Sequence, residues 1–108
     1  MITALVQFNL STPLTGNEVK EDFSNLAPRL REVPGLIRKY FLLSEDGRTA
    51  GGVYLWESKA AAERLYTDDF KESIVERYGS EPSVTYFESP VVVDNLVGEI
   101  IKTVTMSN

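Results

Sequence analysis

The chain has 108 residues, of which 43% are hydrophobic and 25% charged, the size and composition of a single globular domain. Its formal net charge of −5 argues against a nucleic-acid-binding surface, since such a surface needs clustered lysines and arginines. The chain contains no cysteine and no histidine. Disulfides and thiolate chemistry are therefore excluded, together with the commonest general base and the commonest zinc ligand.

The start of the chain does not look like a targeting signal. It has no basic region, and it turns polar at Gln7 and Asn9. No stretch of the sequence is apolar for long enough to span a membrane. We therefore expect a cytoplasmic protein with no membrane and no nucleic-acid partner.

The first predicted elements are a strand and a helix. The strand runs from Ile2 to Leu10, with its polar residues on one alternation. The helix follows a loop, and Asn17 is its expected N-cap. Pro28 lies inside the helical pattern and is expected to kink the helix or divide it.

Two strands are predicted next, from Leu36 to Glu45 and from Ala50 to Glu57. The Asp46-Gly47 pair between them indicates a hairpin with a type I′ turn, which needs positive φ at both residues. A four-residue loop would give the same register. That register places three pairs of residues on one face: Phe41 with Gly52, Lys39 with Tyr54, and Ile37 with Trp56.

The second half of the chain contains two predicted helices and a strand. Ser58 can cap a helix from Lys59 to Tyr66, and Thr67 can cap the next one. This second helix carries Phe70, Ile74 and Tyr78 in a stripe and stops at Gly79. A fourth strand is expected from Ser83 to Ser89, and residues 91–108 form a C-terminal strand or arm.

The order strand, helix, strand, strand, helix, strand predicts an α+β fold of the ferredoxin-like split βαβ type, with an antiparallel sheet in a single domain. Helices cover only one face of such a sheet. The strands here are apolar on both alternations, as Tyr40 and Leu42 against Phe41 and Leu43 show. We therefore expect the bare face to pack against a second copy, as a homodimer, with the C-terminal arm as a candidate part of that interface.

Two motifs carry a resemblance to a known family. They are Val33-Pro34-Gly35-Leu36 and Ala50-Gly51-Gly52-Val53-Tyr54-Leu55, and the second leads through Trp56-Glu57-Ser58-Lys59 towards Asp69-Phe70-Lys71. Over roughly Thr3 to Val93 the chain resembles the YdhR-like monooxygenases. These belong to the dimeric α+β barrel superfamily, together with the antibiotic-biosynthesis monooxygenases. The resemblance implies a homodimer whose two sheets form a barrel, with a pocket between the helices and the sheet of each subunit.

The resemblance also implies two catalytic candidates, Trp56 and Asn9. A Trp at this strand end lines the pocket of the superfamily's cofactor-free oxygenases, and an Asn in the first strand helps to bind ligand or oxygen in its haem-degrading branch. The alternative is that Trp56 is a core aromatic and Asn9 a strand-end residue. No cofactor is expected, and the chain has no histidine to ligate haem.

The hairpin register adds candidates for substrate binding. Tyr54 could donate a hydrogen bond to a phenolate-like substrate, and Lys39 could stabilise its negative charge, unless Lys39 extends to water at the sheet edge. Gly52 is expected to leave room beside Phe41. Phe70 and Ile74 are expected to roof the pocket from the second helix of the pair.

These observations favour a cofactor-independent monooxygenase that acts on a small aromatic or polyketide-like substrate. A second hypothesis is a non-catalytic small-ligand-binding or stress-associated module of the same fold. A third is an isomerase or lyase that uses a Tyr or a carboxylate as its base. The sequence alone leaves open whether the protein is an enzyme.

Overall fold

The computed structural model of the protein describes residues 1–102. The elements up to β4 follow the order that the sequence predicts, and each takes its label from chain order. The elements are β1 (Ile2–Asn9), α1 (Gly16–Leu30), β2 (Leu36–Leu43), β3 (Thr49–Trp56), α2 (Lys59–Leu65), α3 (Asp68–Tyr78), β4 (Ser83–Glu88), β5 (Val91–Asp94) and β6 (Glu99–Lys102).

Four of these strands form an antiparallel sheet in the order β2-β3-β1-β4. Alternate residues of β1 point to opposite faces, and the buried set is Ile2, Ala4, Val6 and Phe8. These residues pack with Trp56, Tyr66 and Ile74 in the two core clusters between sheet and helices. The arrangement confirms the predicted α+β split βαβ fold. The predicted strand ends were one or two residues too long at Leu10, Glu45, Glu57 and Ser89.

The start of α1 differs from the prediction. Thr15, not Asn17, is the N-cap: its Oγ1 accepts a hydrogen bond of 3.2 Å from the Glu18 backbone N–H. The Glu18 carboxylate accepts one of 3.2 Å in return from the Thr15 backbone N–H. This reciprocal capping box requires a Glu or Gln three residues after the N-cap. Glu18 stands at that position after Thr15, whereas Lys20 stands there after Asn17.

Pro28 does not divide α1. The helix continues to Leu30, and the Arg31 N–H donates to the Pro28 carbonyl in a tightened last turn. A proline removes one hydrogen bond to the carbonyl four residues earlier. Only two further residues of the helix follow Pro28, so the helix ends within a turn of the break.

Between Arg38 and the loop, the hairpin of β2 and β3 has the predicted register but not the predicted turn. Lys39 pairs with Tyr54 and Phe41 with Gly52. The Gly47 N–H donates to the Ser44 carbonyl at 2.9 Å, and Ser44 donates its own N–H to Thr49 across a four-residue loop. Gly47 has a φ of +72°, whereas no described residue other than glycine has a positive φ. The type I′ turn is therefore wrong, because it needs positive φ at two residues.

The end of the hairpin contains an irregularity that the sequence did not indicate. Leu36, not Ile37, pairs with Trp56, because the register shifts between Leu36 and Arg38. The shift leaves Ile37 42% exposed. The predicted pairing of Ile37 with Trp56 is therefore wrong, since one residue of β2 is inserted at this point.

The remaining helices begin where the sequence indicates, and the first of them ends at Leu65, one residue before the predicted Tyr66. The Ser58 hydroxyl accepts from the Ala61 N–H at 3.2 Å, and the Thr67 hydroxyl from the Phe70 N–H at 3.3 Å. Gly79 ends α3 with a φ of +92°, the left-handed conformation that favours glycine. The caps leave Tyr66 between α2 and α3, buried in the core.

The C-terminal arm is a hairpin of β5 and β6 rather than a single strand. Its Asp94 carboxylate accepts from the N–H groups of Leu96 and Val97 and thereby organises the turn. The same carboxylate lies 3.4 Å from the Arg38 guanidinium on the sheet face that the helices leave uncovered. Residues 103–108, the end of the predicted arm, lie outside the described residues.

Within residues 1–102 no helix is both long and apolar enough to cross a membrane.

Candidate functional site

A cavity of about 430 Å³ lies between the sheet and helices α1 and α3. The sheet supplies its floor and the two helices most of its walls. Its lining is largely apolar and aromatic, and its charged members are all basic. It is lined by Val6, Phe8, Phe23, Leu26, Arg29, Leu30, Lys39, Phe41, Gly51, Tyr54, Leu65, Phe70, Ser73, Ile74, Arg77 and Tyr78.

Two glycines make the floor possible. A Cβ on Gly51 would stand 1.9 Å from the Val6 carbonyl oxygen, so strands β1 and β3 approach too closely there for any side chain. A Cβ on Gly52 would stand 2.8 Å from Lys39 Cε and 3.1 Å from the Tyr54 ring. Gly52 therefore makes room for Lys39 and Tyr54, and the expected room beside its strand partner Phe41 stays a prediction.

Lys39 lies between two aromatic rings at the cavity floor. Its ammonium group is 3.8 Å from the centroid of the Phe41 ring and 4.4 Å from that of Tyr54. Within the described residues no carboxylate forms an ion pair with it. Burial lowers the pKa of Lys39 to about 8. The cavity thus contains an amine that changes charge near pH 8 and contacts aromatic faces, with no counter-ion in the part of the chain that the structure describes.

Tyr54 lies on the same buried face as Trp56, as predicted. The two rings are stacked with centroids 6.1 Å apart and planes 8° apart. Burial raises the pKa of Tyr54 well above its usual value. Its hydroxyl therefore stays protonated across the physiological range and can donate a hydrogen bond to a ligand in the cavity.

Trp56 lies behind the cavity, not in its lining. Its side chain is fully buried, and its indole N–H donates a 3.0 Å hydrogen bond to the Tyr66 hydroxyl. Tyr66 also meets it edge to face, with ring centroids 5.8 Å apart. These contacts are those of a core aromatic. A catalytic role for Trp56 stays a prediction, and it would have to act through neighbouring residues that line the cavity.

Asn9 is not near this cavity. It pairs with Thr49 at one end of β3, whereas Trp56, at the other end, pairs with Ile2. Asn9 also belongs to the exposed alternation of β1, so its side chain lies on the opposite face of the sheet. The cavity lining therefore includes Tyr54 and Phe41 but neither Trp56 nor Asn9, and a catalytic role for Asn9 stays a prediction. Asn9 instead borders a separate depression with Thr49 and Glu81.

The other predicted binding residues do come together. Phe70 and Ile74 line the cavity from α3, which places them where the sequence expected a roof. Phe41 stacks on Phe23 of α1, with centroids 4.8 Å apart and planes 27° apart. Aromatic walls on both sides suit a flat, apolar ligand. Whether these residues bind substrate stays a prediction.

Sequence reasoning missed the polar residues supplied by the helices. The Tyr78 hydroxyl donates a 2.5 Å hydrogen bond to Asp22, and burial together with this carboxylate raises the pKa of Tyr78 to about 12. Asp22 also lies 3.9 Å from the Arg77 guanidinium. Arg29 lines the cavity from α1. Arg77 follows Ile74 by three residues, so helical spacing could have placed it beside the predicted roof.

The described residues contain no group of three or more acidic, His or Cys side chains that could hold a metal ion. The chemical resources of the cavity are accordingly an amine, the buried phenol of Tyr54, the half-buried phenol of Tyr78 and two guanidinium groups around an apolar volume. Such a site can orient an aromatic molecule, exclude water from it and stabilise negative charge on it.

Comparison with known proteins connects this geometry to a family. The family model described as "Putative mono-oxygenase ydhR" matches residues 4–88. A search of curated proteins gave no match.

Solved structures share the fold. A monooxygenase from the gene ActVA-Orf6 of Streptomyces coelicolor, in complex with nanaomycin D, superposes with a TM-score of 0.61 at 22% identity, covering 82% of this chain and 86% of that one. The cofactor-independent oxygenase SnoaB of Streptomyces nogalater superposes with a TM-score of 0.59 at 18% identity, covering 82% of this chain and 91% of that one. A protein of Deinococcus radiodurans described as a "putative antibiotic biosynthesis monooxygenase" superposes with a TM-score of 0.62 at 11% identity, covering 87% of this chain and 97% of that one.

Proposed function

The chain belongs to the ydhR mono-oxygenase family, and from that premise we propose that it is a cofactor-independent monooxygenase acting on a small aromatic or polyketide-like substrate. Two of the structures with the same fold point in this direction: one is a cofactor-independent oxygenase, and one is a monooxygenase that holds nanaomycin D. At their low identities these proteins support the fold, and the reaction is argued from the cavity of this chain.

The observation that carries the proposal is the position of Lys39. An ammonium group with no carboxylate partner among residues 1–102 lies at the floor of an aromatic cavity, beside a tyrosine that remains a hydrogen-bond donor. A phenolate or stabilised carbanion would provide the counter-charge that the site lacks. Attraction between these charges is strengthened where water is excluded.

This electrostatic arrangement fits an oxygenation in which the substrate itself is the reductant. The electron-rich anion of a substrate containing a methylene group flanked by aromatic rings transfers an electron to O₂, and the two radicals combine. Loss of water then leaves a carbonyl: R₂CH₂ + O₂ → R₂CO + H₂O. One oxygen atom enters the product and the other leaves as water. In this step the protein needs to orient the substrate, exclude water and stabilise the anion.

We propose further that the protein is a homodimer. The sheet face turned away from the helices carries Leu5, Val53 and Leu55, which are incompletely covered, and Tyr40 and Phe87, which are 56% and 53% exposed. An apolar face of this kind is what a two-fold interface would bury. The dimer would leave the cavity free, since the cavity lies on the helix side of the sheet.

The test is oxygen uptake by the purified protein with anthrone- and hydroquinone-type substrates. We expect enzyme-dependent uptake with anthrone above the rate of its autoxidation, and one atom of ¹⁸O₂ in the product. Lys39→Met should lower kcat/KM about 100-fold, the usual cost of removing one anion-stabilising donor. Lys71→Met is the matched control, because Lys71 is exposed on α3 and does not line the cavity. Equal rates in these two variants would exclude Lys39 from the reaction.

A non-catalytic binding module is the second candidate, and two observations favour it. Trp56 is enclosed in the core and Asn9 lies on the other face, so neither catalytic candidate reaches the cavity directly. This function predicts saturable binding of aromatic molecules with no oxygen uptake. Calorimetry in parallel with the oxygen electrode separates the two functions, because turnover by the wild-type protein is expected of only one of them.

A further inference from the structure

The charged side chains that line the cavity all have one sign. Its described lining residues include Arg29, Lys39 and Arg77 and no acidic residue, in a chain that has 16 Asp and Glu against 11 Lys and Arg. One carboxylate, that of Asp22, contacts the lining residues Tyr78 and Arg77 from outside the lining. Such a distribution raises the local concentration of anions and lowers the energy of an anionic group at the site.

The three cations occupy different depths. Lys39 is half-buried on the sheet, whereas Arg29 and Arg77 are exposed residues of α1 and α3. The two exposed arginines therefore lie on the helices that flank the cavity, whereas Lys39 lies on the sheet beneath them. This arrangement puts the guanidinium groups at the mouth and the amine at the floor.

The two arginines are not neutralised by strong ion pairs. Arg29 has no ion pair within the described residues, and Arg77 has a single long contact of 3.9 Å to Asp22, with both side chains nearly half exposed. Asp22 also accepts the short hydrogen bond from Tyr78. An exposed pair at this separation contributes little, so Arg77 remains available to a ligand.

We propose that the substrate is an aromatic carboxylic acid, whose ring occupies the apolar cavity and whose carboxylate is recognised by Arg29 and Arg77 at the mouth. Guanidinium groups match the planar geometry of a carboxylate and can bind it through two parallel hydrogen bonds. The oxidisable position, at the opposite end of the ring system, lies towards Lys39. This inference rests on the proposed function for its aromatic ligand and adds the acid group to it.

The test compares two probes of nearly the same shape, 2-naphthoate and 2-naphthamide, by calorimetry at low ionic strength. We expect the wild-type protein to bind the acid about tenfold more tightly than the amide, a preference of the size that one charge-assisted contact supplies. The Arg29→Gln/Arg77→Gln double variant should lose that preference while it binds the amide as before. Added salt should weaken binding of the acid alone.

Two matched variants make the result specific. Arg64→Gln removes an exposed arginine of α2 that does not line the cavity, and it should keep the tenfold preference. Lys39→Met should also keep it, because the carboxylate is placed at the mouth. A preference that disappears in Lys39→Met and persists in the double arginine variant would overturn the proposal, since the anion would then lie at the floor.

The same experiment separates this inference from the proposed function. Equal binding of acid and amide by the wild-type protein contradicts the carboxylate site and leaves an aromatic-binding cavity in place. Failure to bind either probe contradicts both. Circular dichroism and thermal unfolding of each variant establish that lost binding does not reflect lost structure.

Discussion

The indole N–H of Trp56 donates a 3.0 Å hydrogen bond to the Tyr66 hydroxyl, and both side chains are buried. This bond joins the end of β3 to the junction between α2 and α3. Burial raises the pKa of Tyr66 far above its usual value, so its phenol remains neutral at all physiological pH values. The pair connects the sheet to the helical layer and forms the wall behind Tyr54.

Trp56→Phe should therefore act on stability more than on the site. The change removes buried area, opens a small cavity and leaves the Tyr66 hydroxyl without its donor. We expect a loss of about 2–4 kcal/mol in the free energy of unfolding, measured with urea. Ligand binding by the folded fraction should change less than threefold. A large loss of binding at unchanged stability would instead place Trp56 in the site.

Tyr66→Phe provides the partner variant for a double-mutant cycle. This change leaves the Trp56 indole N–H without its acceptor and should lower the free energy of unfolding by about 1–3 kcal/mol. The double variant should cost less than the sum of the single ones, because the two side chains interact directly. Additive effects would mean that the hydrogen bond contributes nothing to folding.

Lys39 should reduce stability at neutral pH. Its pKa is about 8 in the folded protein and 10.5 when exposed, so the unfolded state binds more protons between these values and stability rises with pH there. Below pH 8 both states carry the charge, and the folded state bears the full cost of desolvation. Lys39→Met should raise the free energy of unfolding at pH 7 by about 1 kcal/mol. The gain in the free energy of unfolding of Lys39→Met over the wild type should shrink as the pH rises towards 10.5, whereas Lys71→Met should show no such trend.

The same group predicts the pH dependence of catalysis. If the anion is stabilised by the Lys39 ammonium, kcat/KM should fall as the pH rises through about 8, since this ratio reports groups of the free enzyme. Lys39→Arg keeps a positive charge at every pH and should extend activity to higher pH, even if its rate is lower. A profile that rises through pH 8 in the wild type would identify the neutral amine as the active form.

Gly51 and Gly52 should differ in their tolerance of a methyl group. Gly51→Ala would bring Cβ to 1.9 Å from a backbone oxygen of Val6, which can move only with its strand, so a loss of about 3 kcal/mol or more is expected. Gly52→Ala meets the flexible Lys39 side chain and should cost about 1 kcal/mol while it displaces the amine. Urea unfolding measures both changes. Gly16→Ala is the control, because nothing lies within 4 Å of its Cβ position.

The hairpin shows what local sequence could predict. The Asp46-Gly47 pair and strand alternation gave the pairing of Lys39 with Tyr54 and put Tyr54 and Trp56 on one face, as observed. These features depend on residues close in sequence. The bulge at Ile37 did not follow from alternation, because an inserted residue leaves no mark in a strand that is apolar on both faces.

The cavity depends on contacts that no periodicity reveals. Its mouth forms where α1 and α3 lie on the same side of the sheet, and residues as far apart as Asp22 and Tyr78 meet there. The sequence identified Phe70 and Ile74 by their helical stripe. It could not show that Arg29 and Arg77 face one volume. Asn9 does not line the cavity, because family resemblance located its position along β1 but not the face on which its side chain lies.

The uncovered face of the sheet gives the last prediction. Tyr40 lies on that face, 56% exposed, and an apolar two-fold interface would bury it. Tyr40→Glu should convert a dimer to a monomer in sedimentation equilibrium at micromolar concentration, since a buried, unpaired carboxylate opposes association. Val75→Glu introduces the same charge at a 38% exposed position of α3 and should leave the dimer intact. A wild-type protein that sediments as a monomer at every concentration would refute the proposed homodimer, and the apolar face would then remain open to solvent beside the β5–β6 hairpin.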